Sequence, residues 1–363
     1  MKRALAVSFW ASALGAAWVL VGYPAAMAAR RPRPWRRTEA LPTVSIIVPA
    51  YREREALAAK LRALRELDYP AELIQVIVAV DEDRELETVA RAAHPEAQVL
   101  FSPERRGKAA GLNRALDVAR GEVVVLTDAN NILEPGTLRA AVRHFGDPEV
   151  WAVAGRRGET ESGYARYEDL VRRLETRSGS VAALSGELIV VRGERLGRFP
   201  AGVINDDFWL LCDIVRRGGR VVYEPAAGST EPALDPRLEL DRRARIGAGR
   251  VALLPAVRRL PPGFALRVAS HKLGRLALAP MLLATLVSAL GMMRSGRVYR
   301  LAAALQLCMY APGLLALARV PVPNAARPVC GASREVLVGC AGTAIGLVRG
   351  LAGRQSAIWN PVR

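Results

Sequence analysis

From Ala4 to Ala29 the chain carries no charged residue, and Leu5 to Val21 is almost continuously apolar. A bilayer core takes about 20 apolar residues in a helix, so this stretch predicts a transmembrane helix. The Lys2-Arg3 start and the small residues Ala25, Ala26 and Ala28 leave a secretory signal as the alternative. The pattern then changes. Thr43 to Val48 is a β-branched apolar run ended by Pro49, the signature of a buried parallel strand. Leu57, Leu61, Leu64 and Leu67 recur at helical spacing, and Leu73 to Val80 predicts a second strand closing on Asp81. Val99 to Phe101 predicts a short third strand, Lys108 to Ala119 a helix, and Glu122 to Thr127 a fourth strand ending at Asp128. This alternation predicts a doubly wound parallel sheet, whose ligand crevice lies beyond the carboxyl ends of the strands. Pro49-Ala50-Tyr51, Asp81 and Asp128 all fall at such ends.

Uncharged apolar runs return at Leu276 to Met293 and Leu301 to Ala318, each close to spanning length. A shorter third stretch, Val336 to Val348, holds Gly339, Gly342 and Gly346 and reads as a tightly packed span or an interfacial helix. Residues 250–275 mix leucines with Arg258, Arg259, Arg267, Lys272 and Arg275, as an interfacial amphipathic helix broken at Pro261-Pro262 does; helix packed on the soluble domain is the alternative. The expected organisation is a transmembrane helix over 1–29, a basic Pro/Arg linker over 30–42, a soluble α/β domain over 43–249, an amphipathic segment over 250–275 and two or three spans within 276–363.

Composition sharpens this picture. The chain has 363 residues, 51% of them hydrophobic, with 52 Lys+Arg against 35 Asp+Glu and a net charge of +17, which excludes a disordered tail or a collagen-like fibre. A basic excess suits nucleic acid or a membrane surface. The arginines decide for the membrane. They crowd its expected borders at Arg30, Arg31, Arg33, Arg36 and Arg37 and again from Arg242 to Arg275, with no basic-aromatic RNA-binding pattern. The first cluster, directly after the apolar run, sets the soluble domain on the cytoplasmic side. Cys212, Cys308, Cys330 and Cys340 form no CxxC pair, and His94, His144 and His271 lie in no metal-ligand pattern. Carboxylates are left to carry the chemistry.

Five strings occur in order: Val48-Pro49-Ala50-Tyr51-Arg52-Glu53, Val80-Asp81, Arg106-Gly107-Lys108-Ala109-Ala110-Gly111-Leu112-Asn113, Leu126-Thr127-Asp128-Ala129-Asn130 and Asn205-Asp206-Asp207-Phe208, followed by Arg242-Arg243-Ala244-Arg245. Over residues 43 to 250 they resemble the family-2 nucleotide-sugar glycosyltransferases of GT-A fold, and the flanking apolar runs resemble the bacterial polysaccharide, N-acetylglucosaminyl and glucosyl synthases of that family. The resemblance implies an α/β, doubly wound mixed sheet with a Rossmann-like nucleotide-binding half and transmembrane helices. It further implies an inner-membrane enzyme that passes a hexose from a nucleotide sugar, UDP-linked by preference, to a lipid or glycan acceptor with inversion.

Residue by residue, the resemblance places Pro49, Tyr51, Glu53, Asp81, Arg106, Lys108, Asn113, Asp128 and Arg245 around the donor, with Asp81 accepting from the uracil ring N–H. Mg2+ or Mn2+ is implied at Asp128, with Asn130 as a neutral oxygen ligand where a second acid is usual. Asp207 is implied as the base that deprotonates the acceptor, Asp206 as its orienting or screening partner, and Gly186 as part of the acceptor loop. Asp206 and Asp207 also suit the amino end of a helix. Arg242 and Ile246 replace the glutamine and tryptophan of processive members, which favours single-sugar transfer to a lipid such as diacylglycerol or a polyprenyl phosphate. An inactive nucleotide-binding subunit is the remaining alternative, motivated by Asn130.

Overall fold

In the computed structural model, which describes residues 1–158, 163–184, 186–231 and 236–356, the first β-branched run is strand β1, Val44–Ala50. It leads into helix α1, Arg54–Leu64, whose Leu57, Leu61 and Leu64 are buried. Burying each such side chain stabilises the fold by about 1.5–3 kcal/mol. Then come β2 (Ile74–Asp81), α2 (Glu85–Ala93), β3 (Gln98–Ser102), α3 (Lys108–Leu116) and β4 (Val123–Leu126). These strands pair in parallel in the order β3-β2-β1-β4. The expected parallel half is therefore present.

Past β4 the chain adds β5 (Ile132–Leu133), α4 (Thr137–Val142), β6 (Val150–Gly158), α5 (Gly163–Ser178), β7 (Ile189–Arg192), α6 (Asp206–Arg216) and β8 (Arg220–Thr230). They complete an eight-stranded sheet, β3-β2-β1-β4-β7-β6-β8-β5. Because β7 runs antiparallel to both β4 and β6, while β8 runs parallel to β6, the sheet is mixed. Geometry follows from this. The carboxyl ends of β1, β2, β3, β4, β6 and β8 and the amino end of β7 share one edge. β1 and β4 stop pairing at Ile47 and Leu126, whereas β1 continues against β2 as far as Ala50. The strands splay at the point where the winding reverses, the place such sheets offer a ligand crevice. Pro49, which has no N–H to give, sits where β4 no longer asks for one.

Cα packing groups Arg30–Ala233 and Leu253–Pro262 into this α/β unit. The basic linker belongs to it: Trp35 donates from Nε1 to His144 Nδ1 at 2.7 Å, the Arg220 guanidinium lies 4.7 Å over the Trp35 ring, and Thr38 N–H donates to the Arg143 carbonyl at 2.8 Å. So the linker is docked on protein, not left as a solvated arm.

The helical unit comprises Met1–Ala29, Leu234–Ala252 and Gly263–Gln355. Among the described residues three helices are long and apolar enough to cross a membrane: Lys2–Ala28, Pro262–Gly291 and Arg297–Leu317. The first two lie antiparallel, joined by Ser12 Oγ to Thr285 Oγ1 at 2.8 Å and Ser288 Oγ to Ser8 Oγ at 3.0 Å, and by Trp18 Nε1 donating to Ser270 Oγ at 3.0 Å. Such hydrogen bonds join helices where apolar packing alone has little to gain. The glycine-rich stretch lies in the helix Arg327–Leu351, which packs on the helix Pro236–Ala252 through Gly342, Gly346 and Gly350. A Cβ on Gly346 would come within 2.5 Å of the Ala244 carbonyl oxygen, so this helix pair requires that glycine.

Candidate active site

The shared strand edge collects ionisable side chains from separate elements. Lys108, at the amino end of α3, places Nζ 2.8 Å from Asp128 Oδ1 and 2.9 Å from Asp206 Oδ2. Burial opposes its charge, but the two facing carboxylates prevail and hold the ammonium well above the ordinary lysine range. Asp206 and Asp207 open α6, and Asp207 Oδ1 accepts the Phe208 N–H at 2.7 Å. Gly186 closes the group: a Cβ there would lie 3.8 Å from Lys108 Nζ and 3.9 Å from the Asp207 Cβ. The implied donor, metal and acceptor residues Lys108, Asp128, Asp206, Asp207 and Gly186 thus stand together, although they come from four stretches of chain.

Behind Asp128 stands a second layer. Asn130 Nδ2 donates to Glu231 Oε1 at 2.8 Å, and the Arg157 guanidinium reaches Glu231 Oε2 at 2.8 Å and Glu187 Oε1 at 3.4 Å. Glu53 belongs to the same field. Burial first, then the Asp128 and Glu231 carboxylates, push its carboxyl up to about 7, with Lys108 pulling the other way. Among the described residues this edge holds more carboxylate than cation.

Beneath the edge, Lys60 on α1 is wholly buried and donates from Nζ to Thr127 Oγ1 at 2.8 Å and to the Asn131 carbonyl at 2.5 Å. Burial pushes its ammonium down to about 7, with the Asp128 charge acting in the opposite direction.

The remaining residues divide. Asp81 is buried at the end of β2, where Oδ2 accepts the N–H groups of Arg106 (3.1 Å) and Gly107 (2.8 Å) and Oδ1 meets Arg114 at 3.0 Å. Gly107 has a φ of +84°, which suits glycine, and this aims its N–H at Asp81. Asp81 therefore shapes the loop entering α3, with most of its acceptor capacity already used. The Arg106 side chain pairs with Glu104 at the surface. Tyr51 donates to Glu82 Oε2 at 3.1 Å, and its ring carries the guanidiniums of Arg105 at 4.1 Å and Arg52 at 5.0 Å. Arg52 and Glu82 both adopt left-handed backbone, with φ of 56° and 60°, the region that favours asparagine or glycine. Asn113 Nδ2 donates to the Phe199 carbonyl at 2.8 Å and its Oδ1 accepts the Phe199 N–H at 2.9 Å, so it braces the segment before α6, with a second N–H and a second oxygen lone pair outside that pairing. Arg245 lies on the helix Pro236–Ala252, within the helical unit, and so is not among the residues that the α/β unit itself gathers.

Lys60, Arg114, Arg157, Glu187 and Glu231 are not singled out by any pattern in the sequence analysis. Glu231 follows a strand, as Asp81 and Asp128 do, so the same signal points to it once β8 is recognised.

Residues 42–245 match the family model described as glycosyltransferase-like family 2. The chain belongs to this glycosyltransferase family. Its mixed sheet is the family's GT-A fold. Among relatives of this family-2 chain, an N-acetylglucosaminyltransferase of Rhizobium meliloti (strain 1021) is 26% identical over 275 residues, covering 67% of the chain and 64% of the relative. A probable glycosyltransferase of Bacillus subtilis (strain 168), YdaM, is 24% identical over 216 residues, covering 53% and 51%. The chain thus spans less than two thirds of either relative's length. Among solved structures, the mannosyltransferase PcManGT from Pyrobaculum calidifontis, in complex with GDP-Man and Mn2+, matches with a TM-score of 0.76 at 26% identity, covering 98% of this chain and all (100%) of that one.

Proposed function

We propose that the chain is a membrane-bound inverting glycosyltransferase that takes a hexose from a nucleoside-diphosphate sugar and passes it to a lipid or glycan acceptor on the cytoplasmic side. One observation carries this reading: Lys108 joins Asp128 to Asp206 beside Gly186 and Asp207, so donor-side and acceptor-side groups face one small space. The three apolar helices and the arginines after Ala29 support the membrane placement.

The residues fit a hard divalent ion. Their donors are oxygens, the Asp128 and Glu231 charges that add to burial in raising Glu53 to about 7 are what a cation relieves, and the Asn130 amide nitrogen is held by Glu231, leaving its oxygen for ligation. Among the described residues no three His, Cys, Asp or Glu side chains are placed to hold a metal by themselves, so Asp128 and Asn130 would hold Mg2+ or Mn2+ jointly with the donor's phosphate oxygens. When bound, the ion neutralises charge developing on the leaving diphosphate. Mn2+ in the Pyrobaculum mannosyltransferase complex supports this assignment.

Lys108 is positioned to give its ammonium to the same diphosphate. Asp207 takes the proton of the acceptor hydroxyl as that oxygen bonds to the anomeric carbon. The bond from that carbon to the diphosphate oxygen breaks, and the nucleoside diphosphate departs with the electron pair. Asp206 keeps Lys108 in place. Tyr51, Arg52, Glu82 and Arg105 border the base, and Asp81 acts chiefly by holding the loop that presents Lys108.

The resemblance favours a UDP-linked hexose, whereas the complex with GDP-Man in a structure matching 98% of the chain favours GDP-mannose as the second reading. Membranes containing the chain, incubated with radiolabelled UDP-glucose, UDP-N-acetylglucosamine and GDP-mannose with and without Mn2+, decide between them. Transfer of label into lipid or polymer that depends on Mn2+ and is lost in Asp207→Asn is the expected result. Product length separates single transfer from polymer synthesis, and full turnover by Asp207→Asn would overturn the assignment of the base.

A further inference from the structure

We infer that Lys60 is a positioning residue for ion binding: through Thr127 and Asn131 it fixes the loop that presents Asp128 and Asn130, and ties that loop to the Gly186–Glu187 segment. The inference rests on the reading of Asp128 and Asn130 as the ion-holding pair. Lys60 lies on α1, and a sequence pattern of Leu57, Leu61 and Leu64 gives its position to the core. A fully buried lysine is rare unless its ammonium is paired with acceptors. Here the acceptors are chosen from one loop: Thr127 Oγ1 at its start and the Asn131 carbonyl at its end, on either side of Asp128 and Asn130.

Thr127 extends the connection. Its hydroxyl accepts from Lys60 and donates to the Glu187 carbonyl at 2.8 Å, one residue from Gly186. Three pieces of chain, the crossover helix, the loop after β4 and the segment before β7, are thereby fixed by one ammonium and one hydroxyl. A methionine at this position would fill the same space with no ammonium to desolvate, so apolar packing alone does not call for lysine. The polar group is explained by the loop it holds. Glu231 supports the loop from the other side through Asn130, so Lys60 and Glu231 grip it from beneath and from the flank.

The test uses the full chain in detergent micelles. Mn2+ binding is read from the free-ion electron paramagnetic resonance signal in the presence of UDP and, in parallel, GDP, alongside Tm and the split of turnover into kcat and KM. Lys60→Met is expected to keep or raise Tm while weakening Mn2+ binding at least tenfold and lowering kcat more than donor KM. A merely structural lysine would do the reverse, lowering Tm and leaving Mn2+ binding per folded molecule intact, and that result overturns the inference. Should Lys60→Met not fold, Thr127→Val and Thr127→Ser decide it: the valine removes the hydroxyl and is expected to weaken Mn2+ binding, the serine keeps it and is expected to restore binding. Wild-type affinity in Thr127→Val, or equal impairment of both variants, overturns the inference. A wild-type chain that binds no Mn2+ with either nucleotide overturns the reading of the site itself, and this inference with it.

Discussion

The α/β unit holds two networks of buried charge, and they are balanced differently. In the first, Glu224 on β8 accepts from His144 Nε2 at 2.7 Å and from Arg143 at 2.6 Å, while His144 Nδ1 receives the Trp35 N–H. That pattern assigns a neutral imidazole with its proton on Nε2, in keeping with burial holding its pKa below the ordinary value. Burial alone would raise the Glu224 carboxyl, but the hydrogen bonds from His144 and Arg143 prevail and bring it to about 2. The Glu224 carboxylate and both ring nitrogens of His144 are paired. In the second network Glu53, Asp128, Asp206, Glu187 and Glu231 share Lys108 and Arg157, and Glu53 is driven up to about 7. The first network completes a fold. Among the described residues the groups named in the second are five carboxyls and two cations, an imbalance that the proposed divalent ion would relieve.

Removing the proposed base beside the second network has the largest expected effect. Asp207→Asn should lower transfer by roughly 10²–10⁴-fold, the usual weight of a general base, with donor binding unchanged; a radiolabel transfer assay paired with nucleotide binding measures both. Breaking the first network acts on stability instead. Glu224→Ala leaves Arg143 and His144 facing no acceptor and should destabilise the unit by about 3 kcal/mol, with transfer per folded molecule unaltered. Because the folded pKa of Glu224 is depressed, its contribution is present above the unfolded value of 4.5 and is lost as pH falls through about 2. Thermal melts of wild type and variant between pH 2 and pH 7 should therefore converge at the acid end.

Glu53 has the opposite sign. Its folded pKa is raised, so stability falls as pH rises from 4.5 to about 7 and stays lower above that. Glu53→Gln should flatten this limb, gaining up to ~3 kcal/mol at pH 8 and little at pH 4; a pH-independent gain would show that the Glu53 carboxyl is not raised in the folded chain. The smallest effect is at the base edge. Arg52→Gly relieves a left-handed φ of 56° and should raise stability by roughly 1 kcal/mol, while donor KM reports what its guanidinium gives to binding.

Much of the second network is legible in the sequence alone. Strands ending in Asp81 and Asp128, a helix beginning with Asp206-Asp207 and a lysine at the amino end of α3 are local features, and they lead to the strand edge where those residues are found. Asn113 and Asp81 show what such reading leaves out. Both occupy motif positions, and both also carry structural hydrogen bonds, one to the Phe199 backbone and the other to the loop before α3, that no local pattern announces. The second half of the sheet is illegible for a different reason: β7 and β8 gain their partners by antiparallel and bulged pairing across long separations, and nothing in their own few residues specifies that.

By itself the sequence determined the elements and their ends, because apolar periodicity, β-branched runs and strand-terminal acids act over a few neighbouring residues. It also determined which stretches are long and apolar enough to span a bilayer. Only the tertiary structure decided who is paired with whom: Lys60 with Thr127 across 67 residues, Asn130 with Glu231 across 101, and the linker's Trp35 with His144 across 109. A buried polar atom must find a partner wherever the fold supplies one, and that choice is made by packing in three dimensions.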